Sequence, residues 1–161
     1  MEISKLHIAN AVLMPEIASL LNEGHTVTLL LKGNSMRPYL VHMRDKALLE
    51  LPKAIKVGDV VLAEVSPERY VLHRVIKIEN GNEGPLLTLR GDGNFCVETC
   101  RMVDVIAKAT AFYRKGSTTP QYVYTFGYQL YSWLWMNLYP LRRYLLKIHD
   151  ILFHSLKDLT K

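Results

Sequence analysis

The chain has 161 residues, 49% of them hydrophobic and 22% charged, with a formal net charge of +5. That length suits one well-buried core rather than two, and the composition excludes a disordered chain. The basic residues are spread along the chain apart from a small cluster at Arg142, Arg143 and Lys147, and no zinc-finger or RNA-binding signature accompanies them, so nucleic acid is not an expected partner.

Met1 to Leu6 holds Glu2 as well as Lys5, and Asn10, Pro15, Glu16 and Ser19 interrupt the next apolar stretch. The unbroken apolar run and small-residue cleavage site of a secretory signal are missing, so a cytoplasmic location is expected. Residues 8–22 read as a short helix with Ile8, Val12, Ile17, Leu20 and Leu21 near one face. Pro15 bends it and Asn22-Glu23-Gly24 stops it. Together, residues 1–25 form an N-terminal helical segment.

A run of short strands follows over 26–115. Thr26 to Leu31 is the first, apolar enough for both faces to be covered. Ala47–Leu51, Val60–Val65, Tyr70–Ile78, Leu86–Arg90 and Val103–Phe112 are the others, with Asn80 to Gly84 as a polar loop. Many short strands between Gly and Pro turns predict a mainly β domain with coiled or barrel-like sheets. Cys96 and Cys100 are too few for a disulfide scaffold and read as two reduced thiols. No metal-ligand spacing stands out, and no cofactor is implied.

Gly116 to Pro120 reads as a linker, after which the character changes. Tyr122 to Leu141 has no charged residue and is crowded with aromatic rings. Leu130, Leu134, Leu138, Leu141, Leu145, Ile148 and Leu152 recur at helical spacing, so residues 121–161 read as an amphipathic helical tail. Pro140 kinks it or splits it in two. Three roles compete: a helical cap or oligomer interface, a peripheral membrane helix with Arg142, Arg143 and Lys147 near anionic headgroups, or a true span. Gln129, Asn137, Pro140 and the tyrosines make a poor span.

The chemistry lies in three segments of the β region. Gly33-Asn34-Ser35-Met36-Arg37-Pro38 sets a serine in a turn after the first strand, Val71-Leu72-His73-Arg74-Val75 carries an imidazole, and Arg90-Gly91-Asp92-Gly93-Asn94 carries a carboxylate. A serine hydroxyl needs a base to remove its proton, His73 is suited to that task, and a carboxylate would fix its tautomer. Asp92 is one candidate for that carboxylate and Glu98 the other. The Ser35 backbone N–H is the natural first oxyanion donor, with Gly33 or Asn34 supplying another.

Taken together, these motifs resemble the signal-peptidase and LexA-like serine peptidases over roughly Val27 to Ala111. Ser35-Met36-Arg37-Pro38 looks like the family's Ser-Met-x-Pro motif. Val57-Gly58-Asp59-Val60-Val61-Leu62 looks like its following strand, and Gly91-Asp92-Gly93-Asn94 like its Gly-Asp-x-Asn box. His73-Arg74 falls where the archaeal and endoplasmic-reticulum signal peptidases carry His-Arg. The resemblance implies a coiled β-sheet peptidase fold, Ser35 as nucleophile, His73 as base, and Asp92 or Glu98 as third member. A peptide or protein cut at a leader or signal-like segment would be the substrate. The chain departs from the family in lacking an anchor ahead of the nucleophile, in having Gly33 where many members have a serine, and in its aromatic tail. Two other functions therefore stand beside the peptidase: an inactive peptide- or protein-binding relative, and a LexA-like autoproteolytic regulator.

Overall fold

The computed structural model describes residues 10–158. The run Val60-Val61-Leu62-Ala63 lies at its centre, four consecutive residues all buried. Side chains alternate across a strand, so this run serves two cores. Val60 and Leu62 pack with Met14, Ile17, Leu21, Leu49, Ala107 and Phe112. Val61 and Ala63 pack with Val75, Leu87, Leu89 and Cys100 on the opposite face. A strand covered on both sides is apolar throughout instead of alternating.

Eight strands form a single antiparallel sheet: β1 (Val27–Leu30), β2 (Lys46–Glu50), β3 (Val60–Ser66), β4 (Arg69–Gly81), β5 (Gly84–Arg90), β6 (Glu98–Arg101), β7 (Val105–Tyr113) and β8 (Gln121–Tyr122). They run in the order β1-β2-β7-β3-β4-β5-β6, with β8 added on β7. The two ends, β1 and β6, do not pair, so the sheet is not a closed barrel. Register slips at Leu48/Leu49, Leu62/Ala63 and Val75/Lys77 bend it locally.

The first strand departs from expectation. β1 lies at the sheet end, its faces alternate between half-buried and exposed, and Leu30 is 37% exposed. The polar loop at 80–84 is a tight hairpin, with β4 running to Gly81 and β5 starting at Gly84. β6 and β8 are strands that the sequence pattern did not reveal.

Helix α1 (Asn10–Asn22) packs on the first core through Met14, Ile17 and Leu21. The predicted face is therefore rotated: Val12 is 61% exposed and Leu20 is exposed too, while Ile8 lies outside the described residues. Gly24, at φ 88°, ends the helix as His25 N–H reaches back to the Leu20 carbonyl.

At the other end, α2 (Phe126–Asn137) and α3 (Arg142–Asp158) are separated by a 3₁₀ turn at Tyr139–Leu141 that holds Pro140. The helical spacing is there, but of the predicted stripe only Leu138 and Leu145 are half-buried, and the side chain of Leu152 lies outside the described residues. Leu130, Leu134, Leu141 and Ile148 are exposed, and Tyr128, Ser132 and Trp135 face inward. No helix among the described residues is long and apolar enough to cross a membrane.

Candidate active site

The Ser35 turn follows β1 and is held at both ends. Leu31 N–H donates to the Asp45 carbonyl, and Met43 N–H to the Leu31 carbonyl. Met36 and Leu40 are buried in the first core, so the methionine of the Ser-Met pair is an anchor under the turn. Gly33 has φ 98°, a conformation that strains any side chain, which accounts for glycine at this position. Its N–H donates to His42 Nδ1 at 2.8 Å and so is not open to a substrate oxygen. The Ser35 N–H donates to no protein group among the described residues, which leaves it open to one.

The Gly91-Asp92-Gly93 loop lies backbone to backbone on this turn. Gly93 N–H donates to the Ser35 carbonyl at 2.7 Å. A Cβ at Gly91 would sit 2.5 Å from the Ser35 carbonyl oxygen and 3.0 Å from His73 Nε2; one at Gly93 would sit 2.9 Å from the Asn34 carbonyl oxygen. The glycines thus permit an approach that no side chain allows, and Gly91 marks the point where the serine turn and the imidazole meet. Gly91→Ala forces backbone apart at that point. It is expected to destabilise the fold by about 1–3 kcal/mol, read as a lowered urea midpoint, and an unchanged midpoint would mean the loop is not held so close.

His73, on β4, is 4% exposed. Its Nδ1 lies 3.0 Å from Glu98 Oε2, and Glu98 Oε1 accepts from Arg69 Nη2 at 3.1 Å. An ionised carboxylate only accepts, so Nδ1 carries the proton and Nε2 presents a free lone pair toward Gly91. Burial lowers the His73 pKa below the usual imidazole value, with Glu98 and then Asp92 pulling it back up. The ring is therefore neutral at pH 7, the form a general base needs. No hydrogen bond joins Ser35 Oγ to His73 Nε2, a contact that often tightens only when substrate binds.

Asp92 points elsewhere. Its carboxylate takes a bidentate pair from Arg74, Nε to Oδ1 at 2.8 Å and Nη2 to Oδ2 at 2.7 Å, with both residues 1% exposed. Tyr131 Oη donates to Oδ2 at 3.0 Å, and Trp135 Nε1 to the Asp92 carbonyl at 2.9 Å. Arg74 Nη1 donates in turn to Ser132 Oγ and to the Gly58 carbonyl. Burial works against the Arg74 charge, but the Asp92 carboxylate outweighs it and holds the guanidinium above its ordinary pKa. Of the four predicted residues, then, Ser35 and His73 line one cavity and Glu98 holds the other ring nitrogen of His73. Asp92 lies behind them and reaches His73 only through its field.

No protein-family model matches the chain, and no curated protein matches it.

Arg69, Tyr131, Ser132 and Trp135 belong to this constellation although the sequence pattern did not single them out. Strand alternation is the signal that bears on the carboxylates: His73 and Arg74 are adjacent on β4 and point to opposite faces, so one acid cannot serve both. Arg142, expected near lipid headgroups, is 2% exposed and donates to the carbonyls of Trp135 and Asn94, which ties α3 to the Gly91–Asn94 loop. The thiols are free; Cys96 is exposed, and Cys100 is buried with its pKa pushed up to about 11, mainly by burial.

Proposed function

We propose that this chain is a serine endopeptidase resembling the signal-peptidase and LexA-like enzymes, with Ser35 as nucleophile, His73 as general base and Glu98 as the residue that orients it. The observation that carries this reading is the imidazole itself: buried, held through Nδ1 by Glu98, with Nε2 against the same Gly91 backbone that abuts Ser35. In the reaction, Ser35 Oγ attacks the scissile carbonyl while its proton passes to Nε2. Collapse of the tetrahedral intermediate returns that proton to the leaving amine, and water then hydrolyses the acyl-enzyme by the same route. The Ser35 N–H, which donates to no protein group among the described residues, would stabilise the oxyanion.

The surroundings support a peptide substrate. A cavity of about 130 Å³ opens beside Ser35 and His73, walled by Leu31, Met36, Leu40 and Leu72, a size suited to a small apolar side chain. A second of about 230 Å³ shares Leu31, Lys32, Tyr70 and Leu72 with it and extends toward α1. An extended strand laid along this row would put alternate residues into the two cavities. The acyl half of the substrate is assigned to this side.

The test is digestion of a mixed peptide library followed by mass spectrometry. The parent protein is expected to cut after small apolar residues, and Ser35→Ala to lose at least about a thousandfold in rate with an unchanged melting curve. Equal cleavage by Ser35→Ala would remove the mechanism. The non-catalytic peptide-binding relative is the second reading, favoured by the missing Ser35–His73 hydrogen bond and by the engagement of the Gly33 N–H with His42. Peptide binding with no cut at any pH between about 6 and 9, a window that runs from just below the ordinary imidazole pKa to well above it, would select it.

A further inference from the structure

Sharing no lining residue with the apolar cavities, a groove of about 560 Å³ is walled by Arg37, Phe95, Arg143, Leu146, Lys147 and Ile151. Its floor includes Gly93, whose N–H holds the Ser35 carbonyl. The groove therefore reaches the backbone of the serine turn and runs between the Gly91–Asn94 loop and α3. Its walls alternate apolar surface with cations, and among the described residues none that lines it is acidic.

The charge beneath it is positive as well. Arg142 is buried and donates only to carbonyl oxygens, and Arg90, 8% exposed, stacks on the Tyr139 ring at 3.8 Å. Burial, then the like charge of Arg90, lowers the Arg142 pKa. The acids closest to the site are already committed, Asp92 to Arg74 and Glu98 to His73 and Arg69. Arg143 and Lys147 are exposed and form no ion pair among the described residues. A concave surface of this charge favours an anionic occupant, and its position against the serine turn favours one delivered with the substrate.

We propose that this groove binds the leaving half of the substrate peptide, and that it selects a segment in which carboxylates alternate with apolar side chains. The inference rests on the peptidase reading in one respect: the acyl half fills the apolar cavities and leaves this side for the other half. Carboxylates would meet Arg143 and Lys147, and an apolar side chain would lie on Phe95, Leu146 and Ile151.

Binding to the full chain carrying Ser35→Ala tests it without turnover. The probe is fluorescein-Leu-Ala-Val-Ala-Ser-Asp-Leu-Glu, compared by fluorescence polarisation with the same peptide ending Ser-Lys-Leu-Lys. At low salt the acidic peptide is expected to bind about tenfold tighter. Adding Arg143→Glu and Lys147→Glu is expected to abolish or invert that preference, with circular dichroism confirming the fold. Equal affinities, no measurable affinity for the acidic peptide, or a preference unmoved by the double reversal overturns the proposal. So does a reversal whose only effect is lost binding to phosphatidylglycerol vesicles, which would make the groove a lipid-headgroup site. The two readings fail separately. Preference without cleavage by the parent protein sinks the peptidase and leaves the groove, while cleavage without preference does the reverse.

Discussion

Glu98→Gln is expected to lower peptide turnover by about a thousandfold while the melting temperature falls by only about 2–4 °C. The reason lies in the two ends of one imidazole. Glu98 accepts from Nδ1, which fixes the proton there and, on the proposed mechanism, keeps Nε2 free to take the Ser35 proton. A glutamine amide can donate to Nδ1 instead, which drives the proton to Nε2 and blocks the base. It also removes the negative charge that would stabilise the imidazolium in the transition state. Stability changes little because Glu98's other partner, Arg69, is largely exposed, and exposed pairs contribute little.

The pH behaviour follows from the same contact. Burial lowers the His73 pKa below 6.5, and Glu98 is the largest influence raising it again. The parent protein should therefore lose activity only as the pH falls below the ordinary imidazole value, and Glu98→Gln should push that acid limb lower still. The folded state favours neutral His73, so the associated stability is complete above the unfolded pKa and is lost as the pH falls below it toward the folded pKa. An NMR titration of the His73 Cε1 proton reads both shifts. A Glu98→Gln variant with undiminished turnover, or with its His73 midpoint raised, would remove Glu98 from the site.

Those residues were legible in the sequence to different depths. Ser35 and His73 stand out because a Ser-Met-x-Pro turn and a His on a strand are local patterns. The proposed third member was not local. Glu98 opens β6, a four-residue strand whose only buried side chain is Cys100, too short and too mixed to signal a strand. Asp92, framed by glycines, drew attention for what proves to be a backbone reason: those glycines let the loop lie against Ser35. Arg74 beside His73 carried the missing information, since a buried arginine needs an acid of its own.

The C-terminal helices show the same limit from another direction. Their helical period was readable, and Pro140 does separate them. Which face turns inward was not, because leucine is the more apolar choice while the sheet offers a buried ion pair. Tyr128, Tyr131 and Trp135 win that contest by combining large apolar rings with a polar group that reaches Arg74 or Asp92. Tyr39 stacks on Tyr131 at 4.5 Å between centroids and so extends the cluster to the serine turn. The segment that looked like an appendage is thus packed against the underside of the candidate site.

Asp92→Asn is expected to be the most destabilising single change, costing about 3–5 kcal/mol out of a total in the range of about 5–15. Asparagine is nearly the same shape, so the loss is one of charge: Arg74, 1% exposed, keeps its guanidinium but not the carboxylate that compensates it. At usual denaturant sensitivities this lowers the urea midpoint by about 1–3 M. Arg74→Met should cost a similar amount by leaving Asp92 buried and unpaired. The double variant Arg74→Met/Asp92→Leu should be less destabilised than either single one, because a missing pair costs less than half a pair. That ordering separates the pair's structural role from catalysis, since Glu98→Gln changes rate far more than stability and Asp92→Asn does the opposite. Single variants that each cost under about 1 kcal/mol would mean that water reaches the pair. The Gly91–Asn94 loop would then be held on Ser35 by its backbone contacts and the aromatic cluster rather than by the ion pair beneath it.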